Sequence, residues 1–399
     1  MRMLVGIDDT DSSRGWCTTY LAYRIAADLQ PEIKVLPYPR LVRLNPNIPF
    51  KTRGNAAVCL EIEAPDPDAA FEGVRKKVEE LSDVAGGANS GMVALEGVSK
   101  ALRFEPLYQR ALAGVVNPHS VRRFLKSVGA RSFELGNGMG IVGAASSIGF
   151  TPGFDHTYEL IAYRRREFWG TTRAVGSGTV TEMDAKTFPH TFNNYDYQKR
   201  KVLVAPHGPD PVFAGVRGDS PQMVIRAFGM LSYHEPLEGH MVYLSNQHTD
   251  AHLRGKLRWK AFSSGWTDGT VEGVDTGPGG HVYVTLRAGG RVRLTAAYEP
   301  TGDLRRAAKL LRRGDTVRAF GGVRRGTSLH QPILNLEKLQ LLAHQKGQRG
   351  LPKGTYISSP RANRHLTKPL IRYGLEDTGK PTQVTGWLEA GATRPLVLA

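Results

Sequence analysis

Near residue 254 the spacing of apolar residues changes character, and that change constrains the fold more than any single motif does. Upstream, strand-like and helix-like periods alternate. Residues 3 to 7 (MLVGI) have the length and composition of a short buried strand. After Thr19, Leu21, Ile25 and Leu29 share one helical face with Ala22 and Ala26, and Pro31 ends it. Val58, Leu60 and Ile62 then alternate with Cys59, Glu61 and Glu63, as in a half-buried strand. Asp66-Pro67-Asp68 opens a helix carrying Phe71, Val74, Val78 and Leu81. This interleaving predicts an α/β or ferredoxin-like N-terminal domain with helices on one face of a sheet. A second α/β unit runs from the strand around Tyr158 to His252. Downstream of residue 254 the chain reads as five short strands with a basic helix (DLRRAAKLLRRG) between the third and fourth, the order of an OB-fold β-barrel.

The charge follows the same division. The chain of 399 residues carries 53 Lys+Arg against 37 Asp+Glu, yet residues 254 to 373 alone hold 23 Lys+Arg and 7 Asp+Glu, so the rest is neutral. An excess confined to one contiguous segment points to a dedicated polyanion-binding region, most simply for nucleic acid. Two cysteines, Cys17 and Cys59, exclude a disulfide framework and a four-thiolate zinc site, and fit a reducing, cytoplasmic location. The first residues contain neither a secretory signal nor an anchor, and no later stretch is long and apolar enough to span a membrane.

Asp8, Asp9 and Asp11 follow the first strand at its C-terminal end, where α/β proteins place ligands. Carboxylates this close repel one another unless a cation pairs them, and a hard cation such as magnesium fits best. A turn in which Asp8 or Ser12 caps the next helix is the structural alternative. Arg14 follows, and Thr18 stands at the first helical turn, where free N–H groups attract phosphate. Taken without the rest of the chain, Thr18 reads as a cap rather than as a nucleophile. Arg43 to Asn55 (RLNPNIPFKTRGN) is a proline-stiffened loop offering Lys51, Arg53 and Asn55 to phosphates; its alternative is a rigid surface loop with solvated cations. There is no Walker A pattern. His248 and His252 are four apart but lack an evident third ligand, so no zinc is expected there. Gly136-Asn137-Gly138-Met139-Gly140 marks a loop suited to close backbone approach.

Five segments, GIDDTDSSRGWCTTYLA, RLVRLNPNIPFKTRGNAAV, YELIAYR, LSNQHTDAHL and PRANRHLTKPLIR, resemble in order and spacing the archaeal tRNA(Ile) 2-agmatinylcytidine synthetases, from residue 1 to about 373. The resemblance implies a multidomain α+β and α/β chain. It would have a kinase-like ATP-binding domain (1–130), a ferredoxin-like domain (131–253), an OB-fold (254–345) and an extended basic C-terminal tail (346–399), the last 25 residues reading as disordered. It further implies an ATP-dependent ligase that joins agmatine to the wobble cytidine of the isoleucine tRNA with a CAU anticodon, with no obligate protein partner. Thr18 would be the autophosphorylated residue, and Asp8, Asp9 and Asp11 would handle magnesium and ATP. Family members commonly carry a four-cysteine zinc ribbon after the OB-fold; residues 343 to 356 contain no cysteine, so zinc is not expected.

The chemistry agrees with that expectation. A cytosine 2-oxo oxygen leaves only after phosphorylation, which demands ATP, a cation and an anion-tolerant loop. The guanidinium of agmatine calls for carboxylates, and Asp210, Asp219 and Asp250 are the candidates, each also readable as a structural ion pair. Arg305, Arg306, Arg312 and Arg313 on the basic helix, with Arg361, Arg364, Lys368 and Arg372 in the tail, are the expected tRNA contacts. A magnesium-dependent RNA nuclease would share the acidic turn but need no ATP. A non-catalytic OB-fold RNA-binding protein would leave that turn without a role.

Overall fold

The structure is a computed structural model that describes the whole chain except Glu32, Arg53, Phe154 and residues 328–330, 345–349, 376–380, 383–385 and 389–399. It divides into two compact units: Met1–Leu44, Phe50–Ala111 and Val116–Asn246 form the first, and Asn45–Pro49, Leu112–Val115 and Gln247–Ala399 the second. The architecture is mixed α/β with separate sheets in the two units.

The first unit contains β1 (Arg2–Asp8), α1 (Thr18–Asp28), β2 (Lys34–Val35), β3 (Arg40–Arg43), β4 (Ala56–Glu63), α2 (Pro67–Glu80), β5 (Gly91–Glu96), most of α3 (Glu105–Ala113), α4 (Pro118–Val128), β6 (Arg131–Glu134) and α5 (Ile141–Ile148). It continues through β7 (Thr157–Arg164), α6 (Ser177–Thr187), β8 (Thr191–Phe192), β9 (Tyr195–Asp196), β10 (Lys201–Val202), β11 (Val212–Gly218), α7 (Pro221–Phe228) and β12 (Leu237–Ser245). One sheet runs in the order β6-β5-β1-β4-β3-β12-β7-β11-β8. Its two halves meet where β12 lies parallel to β3, pairing Leu244 with Arg40 and Ser245 with Leu41.

The expectation of helices on one face is corrected. Met3, Val5 and Ile7 pack with Leu21 and Ile25 of α1 and with Val74 and Val78 of α2. Leu4, from the same strand, packs with Val121 and Leu125 of α4 and with Ile141, Ala144 and Ile148 of α5. A strand covered on both faces needs no polar alternation, which is why residues 3 to 7 are continuously apolar. Gly6 lets α5 lie this close, since a Cβ there would come within 2.0 Å of the Ala144 carbonyl oxygen. A boundary at residue 130 cuts through this packing, because β6 pairs with β5.

The second unit holds β13 (Ser264–Thr276), β14 (Val282–Ala288), β15 (Arg291–Ala297), α8 (Asp303–Leu310), β16 (Thr316–Arg324), β17 (Ile333–Ala343), β18 (Tyr356–Ser358) and β19 (Gly386–Leu388). Antiparallel pairing runs β15-β14-β13-β16-β17, and a parallel pairing of β15 with β17 closes these five strands into a ring. Leu304, Ala307 and Ala308 of α8 pack into the ring's apolar core.

The expected extended tail is corrected over residues 356–373. β18 pairs with β17, and Leu366, Leu370 and Ile371 are buried. Apolar residues spaced among the cations of this stretch give it a face to bury. Of the last 25 residues, Gly386–Leu388 forms β19, and most of the others lie outside the described residues.

Candidate active site

β1 delivers Asp8 at its end, and the chain turns sharply at Asp9, whose φ is 58°. Glycines make room for the carboxyl group: a Cβ on Gly143 of α5 would fall 1.8 Å from Asp8 Oδ2, and one on Gly140 would fall 2.7 Å from the Asp8 carbonyl oxygen. The Asp9 carboxylate accepts from the backbone N–H of Asn89, and Ser90 Oγ donates to the Asp9 carbonyl at 3.1 Å. Burial first, then the neighbouring charge of Asp9, holds the Asp8 carboxyl well above the usual carboxylate range. Burial and Asp11 push Asp9 up to about 6. Among the described residues no ion pair joins a cation to Asp8 or Asp9.

The chain then closes a small turn, with Ser12 and Gly15 exchanging backbone hydrogen bonds at 3.1 and 3.3 Å. Asp83 pins this turn: Ser12 Oγ donates to it at 2.5 Å and Arg14 Nη2 at 2.5 Å, and Arg14 with Ser12 holds its carboxyl below the usual range. Arg14, expected to bind phosphate, is therefore engaged with a carboxylate. α1 begins at Thr18, and its N-cap residue Cys17 makes no side-chain cap, which leaves the first N–H groups of the helix without the usual side-chain acceptor. Thr18 is buried, its Oγ1 lying 3.0 Å from Thr10 Oγ1.

The proline-stiffened loop is split in its attachments. Asn45 Nδ2 donates to the carbonyls of Gly114 and Phe262, at 3.0 and 2.7 Å, and Asn47 Nδ2 to Ser264 Oγ at 2.8 Å, all within the second unit. The following part stays with the acidic turn, through Thr52 Oγ1 to the Asp11 carbonyl at 3.4 Å. Lys51 is exposed, Asn55 is half-buried with a φ of 34°, and Arg53 lies outside the described residues.

Among the described residues no group of three or more His, Cys, Asp and Glu side chains is arranged to hold a metal. Magnesium does not require such a cage, since it is commonly held by one or two carboxylates together with substrate phosphates. Asp8 and Asp9, with raised pKa values and no paired cation among the described residues, fit that donor set.

The three aspartates proposed for a guanidinium do not form one group. Asp210 is buried against Arg173 at 3.4 Å, Asp219 is exposed at the end of β11 beside His190 at 3.6 Å, and Asp250 belongs to the second unit. There Asp250 meets the ammonium of Lys338, the hydroxyl of Tyr373 and the N–H of Lys368, the last at 2.6 Å. His252, close by in sequence, is buried with its Nε2 2.9 Å from Glu337 Oε2.

The expected tRNA-contacting cations separate as well. Arg305 Nη1 donates to the Gly280 carbonyl at 2.8 Å, and Arg306 pairs with Asp303. Arg312 and Arg313 are exposed, as is Arg364, while Arg361, Lys368 and Arg372 are half-buried in the folded segment. The sequence reading missed Asp83, Asn89, Ser90 and Gly143. The Gly- and Ser-rich composition from residue 82 onward and the glycine cluster before α5 both mark loops suited to a ligand, but neither signal singles out these four residues.

Two family models match: one described as the TiaS TCKD domain over residues 4–63, and one described as the TiaS FLD domain over residues 138–252. The isoleucine-tRNA 2-agmatinylcytidine synthetase TiaS of Cenarchaeum symbiosum is 42% identical over 343 residues, 84% of this chain and 76% of that protein. The synthetase of Thermococcus sibiricus is 34% identical over 418 residues, covering 100% of this chain and 96% of its own. Among solved structures, the complex of TiaS with its isoleucine tRNA and ATP superposes with a TM-score of 0.84 at 31% identity, covering 93% of this chain and 97% of that one. The complex of TiaS with the same tRNA, AMPCPP and agmatine gives 0.83 at 31% identity, with coverage of 93% and 97%. With identities of this size sustained over most of both lengths, the chain belongs to the tRNA(Ile) 2-agmatinylcytidine synthetase family.

Proposed function

We propose that this chain uses ATP to attach agmatine to the wobble cytidine of the isoleucine tRNA with a CAU anticodon, as a soluble cytoplasmic ligase. The observation that carries this reading is the contact of Thr18 Oγ1 with Thr10 Oγ1 at 3.0 Å, which ties the first residue of a helix without a side-chain cap to the turn that follows Asp8 and Asp9. Phosphoryl transfer needs carboxylates that can take a cation, donors for phosphate oxygens and a hydroxyl acceptor within one short turn. Asp8 and Asp9 would hold magnesium, which neutralises phosphate charge when bound. Thr18 is the hydroxyl that takes a phosphoryl group from ATP. Lys51, Arg53 and Asn55 would supply donors to phosphate from the loop that Thr52 ties to Asp11.

The overall reaction balances with ATP cleaved to AMP and two phosphates. Both phosphoanhydride bonds of ATP break: one phosphoryl group passes to Thr18 and ends as phosphate on hydrolysis, and the other forms a bond to the cytosine 2-oxo oxygen; the primary amine of agmatine attacks C2, the C2–O bond breaks, the second phosphate leaves and the amine gives up a proton. Of the three aspartates considered for the guanidinium, Asp219, beside His190, is the most accessible, at 45% side-chain exposure, while Asp210 and Asp250 are largely buried against Arg173 and Lys338. In this reading the first half of the continuous sheet is the kinase-like domain, the second half the ferredoxin-like domain and the five-stranded ring an OB-fold. The exposed cations Arg312, Arg313 and Arg364 are the leading candidates for the tRNA backbone.

The test is incubation with ATP, magnesium, agmatine and a transcript of that tRNA, followed by nucleoside mass spectrometry and assay of AMP. Agmatinylcytidine formed together with tRNA-dependent AMP is the expected result. Cleavage of the RNA without ATP would instead identify a nuclease, and binding without either product would leave an RNA-binding protein.

A further inference from the structure

The geometry points to Tyr243 as a positioning residue that sets the place of Thr18 from the other half of the sheet; this rests on the reading of Thr18 as the phosphoryl acceptor. Tyr243 lies on β12, in the region that matches the FLD family model, whereas Thr18 lies in the region that matches the TCKD model. Its ring is fully buried, and its hydroxyl donates to the Thr19 carbonyl at 2.6 Å. Tyr163 on β7, also fully buried, lies with its hydroxyl 2.8 Å from that of Tyr243. A tyrosine hydroxyl has one proton, and a carbonyl can only accept. Tyr243 therefore gives its proton to Thr19, and Tyr163 must donate to the oxygen of Tyr243, so the two hydroxyls form a directed pair ending on the residue after Thr18.

The turn that receives this bond is not fixed by a side-chain cap. Cys17, at the N-cap, makes none, and its thiol lies 3.1 Å from Thr19 Oγ1. The rest of α1 is held to the same strand further along. Arg24 Nη1 meets Glu238 at 2.5 Å, Tyr20 donates to the Glu238 carboxylate at 3.0 Å, and Tyr23 donates to the Glu238 carbonyl at 3.1 Å. β12 thus grips α1 at two places: Tyr20 holds the first turn through its side chain, and of these bonds the one from Tyr243 is the one that fixes the backbone of the residue next to Thr18. Reacting groups tolerate little misplacement, so loosening this turn should slow transfer to Thr18 without changing how ATP or tRNA binds.

The experiment compares the full-length protein with Tyr243→Phe and Tyr163→Phe, following phosphate on Thr18 by mass spectrometry during single turnovers with ATP and magnesium. KM for ATP, tRNA affinity and thermal unfolding are measured alongside. Tyr243→Phe should slow phosphorylation at least tenfold with KM and tRNA affinity within twofold of the parent. Tyr163→Phe, which keeps the Thr19 bond but removes the donor behind it, should show a smaller loss of the same kind and supplies the answer if Tyr243→Phe does not fold. Equal phosphorylation rates in both variants and parent would overturn the positioning role alone. Loss of rate together with a proportional rise in KM or a collapse in thermal stability overturns it too, since a purely structural tyrosine gives that pattern. No phosphate on Thr18 in the parent protein overturns both this inference and the reading of Thr18 beneath it.

Discussion

Asp8 sits at a strand end with Asp9 and Asp11 as neighbours and no ion-paired cation among the described residues, whereas Asp250 is enclosed by the Lys338 ammonium, the Tyr373 hydroxyl and the Lys368 N–H. Both are largely removed from water. The first arrangement costs folding energy, because like charges are crowded where hydration is poor; the second offsets that cost with an opposite charge and directed donors. A protein that keeps an uncompensated acidic pair retains a place for a cation arriving from outside. One that encloses a carboxylate with its own ammonium has made a fastening. The same contrast separates the cations of the second unit, where Arg305 and Arg306 are committed to Gly280 and Asp303 while Arg313 stands exposed.

Four measurements can break or sharpen this contrast. Asp8→Asn should lower tRNA-dependent AMP formation by about 100-fold or more, the scale on which electrostatic contributions to phosphoryl transfer act, while leaving the unfolding temperature unchanged or raised. A variant with near-parental turnover would place Asp8 among turn-shaping residues. Lys338→Met should destabilise the second unit by about 3 to 5 kcal/mol in denaturant unfolding, because it strands Asp250. Adding Asp250→Asn to it should recover a substantial part, and a double variant no better than the single one would contradict the fastening.

The third measurement is stability against pH in metal-free buffer. Asp9 titrates near 3.8 in the unfolded chain and at about 6 in the folded one, so between those values the folded state binds more protons. Stability should therefore fall as pH rises through that window, with Asp9→Asn flattening the decline; a curve unchanged by Asp9→Asn would refute the shift. The smallest effect is expected at the surface. Replacing Arg312 and Arg313 together by alanine should reduce the slope of log tRNA affinity against log salt by about 2, roughly 0.9 per phosphate contact. Replacing Arg306, already paired with Asp303, should change it less.

Much of this organisation follows from residue order. The length and composition of residues 3 to 7 point to a buried strand, and three aspartates at its end to a turn that either holds a cation or caps the next helix. What escaped sequence reading acts through absence or distance. α5 (IVGAASSI) shows no amphipathic stripe because small residues are buried on every side, so the second covered face of the sheet was hidden. Gly143 matters for lacking a side chain, and Asp83 reaches Arg14 across 69 positions. Lys338 counts toward the basic excess as fully as any surface cation, although only 1% of its side chain is exposed. Net charge locates a basic segment but cannot distinguish its working cations from its structural ones.

The seam between β3 and β12 sets an order of events in the life of the chain. It consists of two residue pairs, and the bond from Ser245 Oγ to the Leu41 carbonyl spans 204 positions. Local hairpins and helices in each half can form early, but a contact of such separation closes a very long loop and belongs to the last steps of folding. Synthesis proceeds from the N-terminus, so the turn bearing Thr18 leaves the ribosome long before β12 exists. A nascent or truncated chain ending before residue 237 holds the whole acidic turn and none of the strand against which α1 is docked. The contact of Tyr243 with the Thr19 carbonyl therefore exists only once β12 has been made and docked.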